Sequence, residues 1–270
     1  MRALFVLLVL LATLVAPASH PLHAQTPDLP PTAPPTPLRF ETLGIEDGLS
    51  QSAALAVLQD RQGFLWVGTQ DGLNRYDGYT FMVFKHDPDD PNTIGHNSIL
   101  RILEDEAGIL WLGTWGGGLD RLDPATGQVT HFVHDPQDPD SLGSDIVAAL
   151  WEDKHSTLWV GTMGGGLARL DRVTGKFTHF VHDDANPDTI ASDYISTIYE
   201  DADGTLWLGT GGFGTPGAGL DHFDPVMERF THYRHDATDP VGEPHSHRHA
   251  HVLLRHSHAH APDSHHQHRH

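Results

Sequence analysis

An all-β fold is what this sequence predicts: a β-propeller whose blades are four-stranded antiparallel sheets, with four blades present. Four segments carry the prediction by nearly repeating one another. They are Gly63-Phe64-Leu65-Trp66-Val67-Gly68-Thr69, Gly108-Ile109-Leu110-Trp111-Leu112-Gly113-Thr114, Ser156-Thr157-Leu158-Trp159-Val160-Gly161-Thr162 and Gly204-Thr205-Leu206-Trp207-Leu208-Gly209-Thr210. Their tryptophans lie 45, 48 and 48 residues apart, a period that marks a stacked architecture. Within each period, short runs of β-branched and aromatic residues alternate with Gly-, Asp- and Pro-containing turns. The side chains of Leu65, Val67 and Thr69 fall on one face of a strand, and those of Trp66 and Gly68 on the other. Both faces therefore need cover, which a lone meander lacks and a stack of blades around an axis supplies.

The elements follow in chain order. Arg2 precedes an apolar run from Leu4 to Val15, broken only by Thr13. That is the length of a signal-peptide core and short of the ~20 residues of a membrane span. Ala16-Pro17-Ala18 and Leu22-His23-Ala24 both offer cleavage sites, so residues 1–24 are expected to be a signal peptide. An uncleaved anchor is the alternative. No later segment is apolar enough to span a bilayer, so the mature chain is expected to be exported, to the periplasm or outside the cell. Residues 25–38 form a linker, with six prolines among the twelve residues 26–37. Proline fixes φ and lacks a donor, so this stretch reads as an extended spacer.

The propeller is expected over residues 39–240. In the second copy, Ile99 to Glu104 is one strand and Asp105-Glu106-Ala107-Gly108 a turn; Leu110 to Thr114, Leu119 to Asp123 and Val129 to Val133 are three more strands. Copies one, three and four repeat the plan over Ala54–Lys85, Ile146–Val181 and Ile195–Arg234. Trp66, Trp111, Trp159 and Trp207 are expected to wedge between blades, each burying about 200 Å². Gly68, Gly113, Gly161 and Gly209 beside them leave room for the next sheet. Phe40-Glu41-Thr42-Leu43 resembles the outermost strand of a blade, such as Phe177-Thr178-His179-Phe180. In a closed ring that strand would complete the last blade. The expectation here is an open or incomplete ring, with a closed four-blade ring as the alternative.

His86-Asp87-Pro88-Asp89-Asp90-Pro91, His134-Asp135-Pro136-Gln137-Asp138-Pro139 and His182-Asp183-Asp184-Ala185-Asn186-Pro187 link successive blades, and His235-Asp236-Ala237-Thr238-Asp239-Pro240 follows the same rule. After Pro240 the pattern stops. Residues 241–270 form a His-rich tail, expected to be disordered, in which 11 of the 26 residues from His245 to His270 are histidine. Three readings fit it: the product of a truncated or frame-shifted gene, an inert low-complexity tail, or a metal-scavenging segment. In the last, His245, His247, His249 and His251 would offer imidazoles to zinc, nickel or copper.

Bulk chemistry narrows the function. With 36 acidic and 16 basic residues, the formal charge is −20. That field repels phosphate backbones and argues against nucleic-acid binding. The chain has no cysteine, which excludes disulfides, thiolate metal sites and a cysteine nucleophile. No cofactor is implied.

Gly63 to Gly78, reading Gly-Phe-Leu-Trp-Val-Gly-Thr-Gln-Asp-Gly-Leu-Asn-Arg-Tyr-Asp-Gly, is similar to the two-component regulator propeller repeat. The lead-in Ile45-Glu46-Asp47-Gly48-Leu49-Ser50-Gln51 and the Asp-Pro linkers resemble that family as well. The resemblance implies the extracytoplasmic sensor region of a histidine kinase or hybrid kinase. Family members commonly carry two seven-bladed rings followed by a β-sandwich, a membrane helix and a kinase, and several recognise glycans. Against that pattern this sequence has four repeats and no downstream kinase, so kinase activity is not expected of it. The resemblance thus implies a non-catalytic sensing module, with an oligosaccharide or other small ligand and downstream sensor-kinase parts as partners. A propeller lyase or hydrolase, and a free-standing interaction or metal-binding propeller, are the alternatives.

Candidate ligand contacts are the residues that depart from the repeat. After each Gly-Thr stand Gln70, Trp115, Met163 and Gly211, and a loop tryptophan such as Trp115 can stack on a planar group or sugar ring. The fourth copy has a longer loop containing Phe213 and Pro216. Asn97, Asp145 and Asp193 sit where inner strands begin, near the axis mouth. The recurring Asp60, Asp105, Asp153 and Asp201 read as turn formers.

Overall fold

A computed structural model describes residues 41–212, 214, 217–234, 246–250 and 255–259. The chain divides into two units, Met1–Glu41 and Thr42–His270; of the first, only residue 41 is among those described. The expected signal peptide and linker therefore lie outside the described residues, as do Phe213, Pro216, His235, His245 and His251.

In the second unit, a short 3-10 turn at Ile45–Asp47 precedes four meanders. Blade 1 comprises β1 (Ala54–Gln59), β2 (Leu65–Thr69), β3 (Gly72–Tyr76) and β4 (Phe81–Phe84). Blade 2 comprises β5 (Ile99–Glu104), β6 (Leu110–Thr114), β7 (Leu119–Leu122) and β8 (Val129–Phe132). Blade 3 comprises β9 (Val147–Glu152), β10 (Leu158–Thr162), β11 (Leu167–Leu170) and β12 (Phe177–Phe180). Blade 4 comprises β13 (Ile195–Glu200), β14 (Leu206–Thr210), β15 (Leu220–Asp224) and β16 (Arg229–Tyr233). Each blade is a separate four-stranded antiparallel sheet in sequential order. In the tail, β17 (Ser246–Ala250) and β18 (Arg255–Ala259) pair as an antiparallel hairpin.

One side-chain device closes the first hairpin of blades 1 to 3, and part of it recurs in blade 4. Asp60 Oδ1 accepts the amides of Gln62 and Phe64, while its Oδ2 accepts the Trp66 indole N–H at 2.7 Å. Asp105 and Trp111 repeat this at 2.9 Å and Asp153 and Trp159 at 2.9 Å; in blade 4 Asp201 keeps the indole bond to Trp207, at 3.2 Å, while Asp203 Oδ1 accepts the Thr205 amide. The carboxylate both forms the turn and satisfies a donor that burial would otherwise strand. The recurring threonine closes the next hairpin. Thr69, Thr114, Thr162 and Thr210 donate to the carbonyls of Gly72, Gly118, Gly166 and Gly219. Thr210 does so across the longer loop of blade 4.

Stacking buries the tryptophans of blades 1 to 3: Trp66 is 0 %, Trp111 2 % and Trp159 1 % exposed. Close backbone approach accompanies it. A Cβ on Gly113 would lie 2.7 Å from the Val147 carbonyl of the next blade, and one on Gly161 2.7 Å from Ile195 Cγ2. Carboxylates at the far ends of the inner strands join the same interfaces, for Glu104, Glu152 and Glu200 accept the amides of Arg61, Glu106 and Lys154 from the preceding blade. The arc is open. Trp207 of blade 4 is only partly buried, and Tyr199 on its inner strand is 59 % exposed.

Candidate functional site

Alternation of strand direction places the β2–β3-type loops and the inter-blade linkers on one end of the blades. Three histidines pin the linkers there. His86, His134 and His182 hold the carbonyls of Ile94, Leu142 and Ile190 through Nδ1 at 2.8, 2.8 and 2.7 Å. Asn97, Asp145 and Asp193 complete the linkers. Their Oδ1 atoms accept the backbone amides of the same three histidines, at 2.8, 2.7 and 2.7 Å. Their carbonyls accept glycine amides from the preceding blade: Gly72 to Asn97, Gly116 and Gly118 to Asp145, Gly164 and Gly166 to Asp193. These three residues thus stitch each linker to the previous blade.

Trp115 stands at this stitched seam. Its amide donates to the Ser98 carbonyl of its own blade at 3.0 Å, and it forms an isolated antiparallel bridge with Ile146 of blade 3. The corresponding Met163 bridges Tyr194 of blade 4. Each of these positions therefore sits where one inner strand begins beside the next. Trp115 and Tyr194 are each 39 % exposed. The structure brings Trp115 together with Asn97, through neighbouring Ser98, and with Asp145, through Gly116 and Ile146. Asp193 lies one blade further along, beside Tyr194. Of the tail histidines, His247 and His249 fall within β17. Among the described residues, no group of three or more His, Asp or Glu side chains is placed to hold a metal ion.

A second feature on this end was not singled out from the repeats, although the sequence contains its signal. Directly after the leucine of the third strand, blades 1, 2 and 4 carry Asn74, Asp120 and Asp221, all fully buried. Each side-chain oxygen accepts one linker amide: Ser50 at 2.9 Å, Gly95 at 2.7 Å and Ala191 at 2.7 Å. In blades 2 and 4 the other carboxylate oxygen meets a histidine on the outer strand, His131 at 2.6 Å and His232 at 2.7 Å. The bond to Asp120 is the main cause that holds the His131 pKa above the ordinary 6.5; burial opposes it and the Pro91 carbonyl adds to it. Blade 3 has Ala168 at this position, paired with His179. Gly143 occupies the place of Gly95 and Ala191. A groove of about 270 Å³ opens there, lined by Gly143, Gly165, His179, His134, Asp135 and Val181 among others.

Known proteins place this architecture. The two component regulator propeller family matches residues 48–71, 93–116 and 189–212. Histidine kinase P4 of Formosa agariphila is 47 % identical over 55 residues, which are 20 % of this chain and 4 % of that kinase. The extracellular domain of a B. thetaiotaomicron protein described as a hybrid two component system superposes with a TM-score of 0.64. It is 31 % identical over 72 % of this chain, which is 26 % of that domain. A catalytically inactive virginiamycin B lyase from Staphylococcus aureus, 16 % identical, covers 69 % of this chain and 57 % of its own at a TM-score of 0.50, and shares the fold alone. The chain thus spans a small part of the sensor proteins it matches. Three of its four repeats match the two-component regulator propeller family.

Proposed function

We propose that this chain is the ligand-sensing propeller of an exported two-component sensor, without catalytic activity of its own, and that the end carrying Trp115 reads an oligosaccharide. The observation that carries this reading is a tryptophan that does not repeat, 39 % exposed at a seam between inner strands. An indole there offers a flat apolar face to a sugar ring. The neighbouring linkers are held by buried carbonyls and capped amides, so the platform is pre-formed and little ordering is needed on binding. Occupation of the seam between blades 2 and 3 would bias how the blades pack, and the kinase parts of a longer partner or relative would read that change. The apolar Leu4–Val15 segment and the extracellular setting of the matched sensor domain support export.

The recurring carboxylates do not favour an enzymatic reading. Asp60, Asp105 and Asp153 are occupied in indole and turn bonds, and Asp201 in its indole bond. The test is a glycan array followed by titration of the best ligand into Trp115→Ala. Removal of one stacking platform is expected to weaken binding by at least about tenfold, or ~1.4 kcal/mol, in a variant that remains folded. Equal affinity for both proteins would remove Trp115 from the site, and an array without any bound glycan would defeat the oligosaccharide reading.

A further inference from the structure

We infer that the groove of blade 3 is a binding site for a small carboxylate-bearing molecule, held by the Gly143 amide and the His179 imidazole. The sister blades define the chemistry. In blade 2, Asp120 sits between the Gly95 amide and His131 Nδ1; in blade 4, Asp221 sits between the Ala191 amide and His232 Nδ1. Blade 3 retains the amide at Gly143 and the imidazole at His179, but Ala168 supplies no carboxylate.

Three geometric facts set the groove beside this position, while Ala168 itself is buried. A Cβ on Gly95 would meet Asp120 Oδ1 and the Gly117 carbonyl, each at 2.9 Å, so Gly95 lies against both the blade 2 carboxylate and Gly117. The counterparts of these two glycines, Gly143 and Gly165, both line the groove, with His179. Whereas His131 is tied to Asp120 and the Pro91 carbonyl, His179 stacks on Phe177, with ring centroids 6.3 Å apart. A ligand carboxylate would accept from the Gly143 N–H and from His179, which are the donors its counterparts use inside the chain. Charge-assisted bonds of this kind are stronger than neutral ones. The net charge of −20 is screened beyond ~8 Å at physiological ionic strength, so the two donors act at hydrogen-bond range against the groove-lining Asp135 and Asp138. A volume of about 270 Å³ suits a small molecule.

Acetate is the probe, titrated into the full chain while the Gly143 amide and the His179 ring are followed by NMR. Saturable movement of both signals is expected, with at least tenfold weaker response to acetamide, which has the shape without the charge. Ala168→Asp should place a carboxylate in the groove from within the chain and abolish the acetate response at an unchanged or higher melting temperature. If that variant does not fold, His179→Gln, a groove-lining change, should weaken acetate at least about fivefold. Trp115→Ala should leave the acetate response intact, which separates this site from the oligosaccharide reading. A Gly143 amide that ignores acetate, an equal response to acetamide, or full acetate binding by folded Ala168→Asp would each overturn the inference.

Discussion

Asp105 shows how much one repeated residue does. Its Oδ1 caps the turn at Ala107 and Ile109, and its Oδ2 takes the Trp111 indole and the Arg172 guanidinium. From the sequence, Asp at this position reads as a turn former, which is half of its role. The indole partner six residues on becomes visible only when the hairpin folds back on itself. The His131–Asp120 pair has a consequence of a different kind. Its raised pKa means that the folded state binds the proton more tightly than the unfolded chain. The resulting stabilisation is full below about pH 6.5 and is lost as pH rises through the folded-state value. Melting curves of wild type and His131→Gln should therefore differ most at acidic pH, below about pH 6.5, and draw together as pH rises through the folded-state value. A gap that widens toward alkaline pH would contradict this assignment.

Between blades, the decisive quantity is the distance of backbone approach. Gly113 faces the Val147 carbonyl, which cannot rotate away, so Gly113→Ala forces two blades apart and is expected to cost about 1–3 kcal/mol. Gly209 occupies the same repeat position in blade 4, but its added Cβ would meet Thr197 Cγ2 of its own blade, a side chain that can turn. Gly209→Ala should thus be distinctly milder. Denaturant unfolding of the two variants measures the difference, and equal losses would show that the glycines serve the strand and not the stack. The repeat pattern makes these glycines legible as packing residues, yet it assigns all four the same weight. Which of them faces backbone depends on the neighbouring blade.

At the scale of the whole arc, Arg101 links blades that are not neighbours. Its guanidinium donates to the Leu100 carbonyl and, at 3.2 Å, to the Ser196 carbonyl of blade 4, while partial burial pushes its pKa down. The corresponding inner-strand residues of blades 1, 3 and 4 are Ala56, Ala149 and Thr197, so a long cation here departs from the repeat. Ala149 leaves space for the side chain to pass blade 3. Replacing Arg101 with Ala should loosen blade 4 selectively: hydrogen exchange is expected to quicken in β13 and β14, severalfold, while β1 and β2 keep their protection. Uniform quickening across all four blades would show that Arg101 contributes only local packing.

The amino-acid sequence by itself determined the strand order, the blade count, the turns and the seams, because each rests on local periodicity and on turn chemistry that every copy repeats. It also marked Trp115 as an outlier. The tertiary structure alone showed what the outliers touch. Asn97 and Asp145, which read as open polar contacts, turn out to be capping residues beside Trp115. Ala168, which reads as an ordinary strand residue, lies where its sister blades bury a carboxylate between an amide and a histidine. Those partners stand 11 and 25 to 30 residues from the carboxylate in the chain, and only the stacking of strand on linker brings them within hydrogen-bond reach.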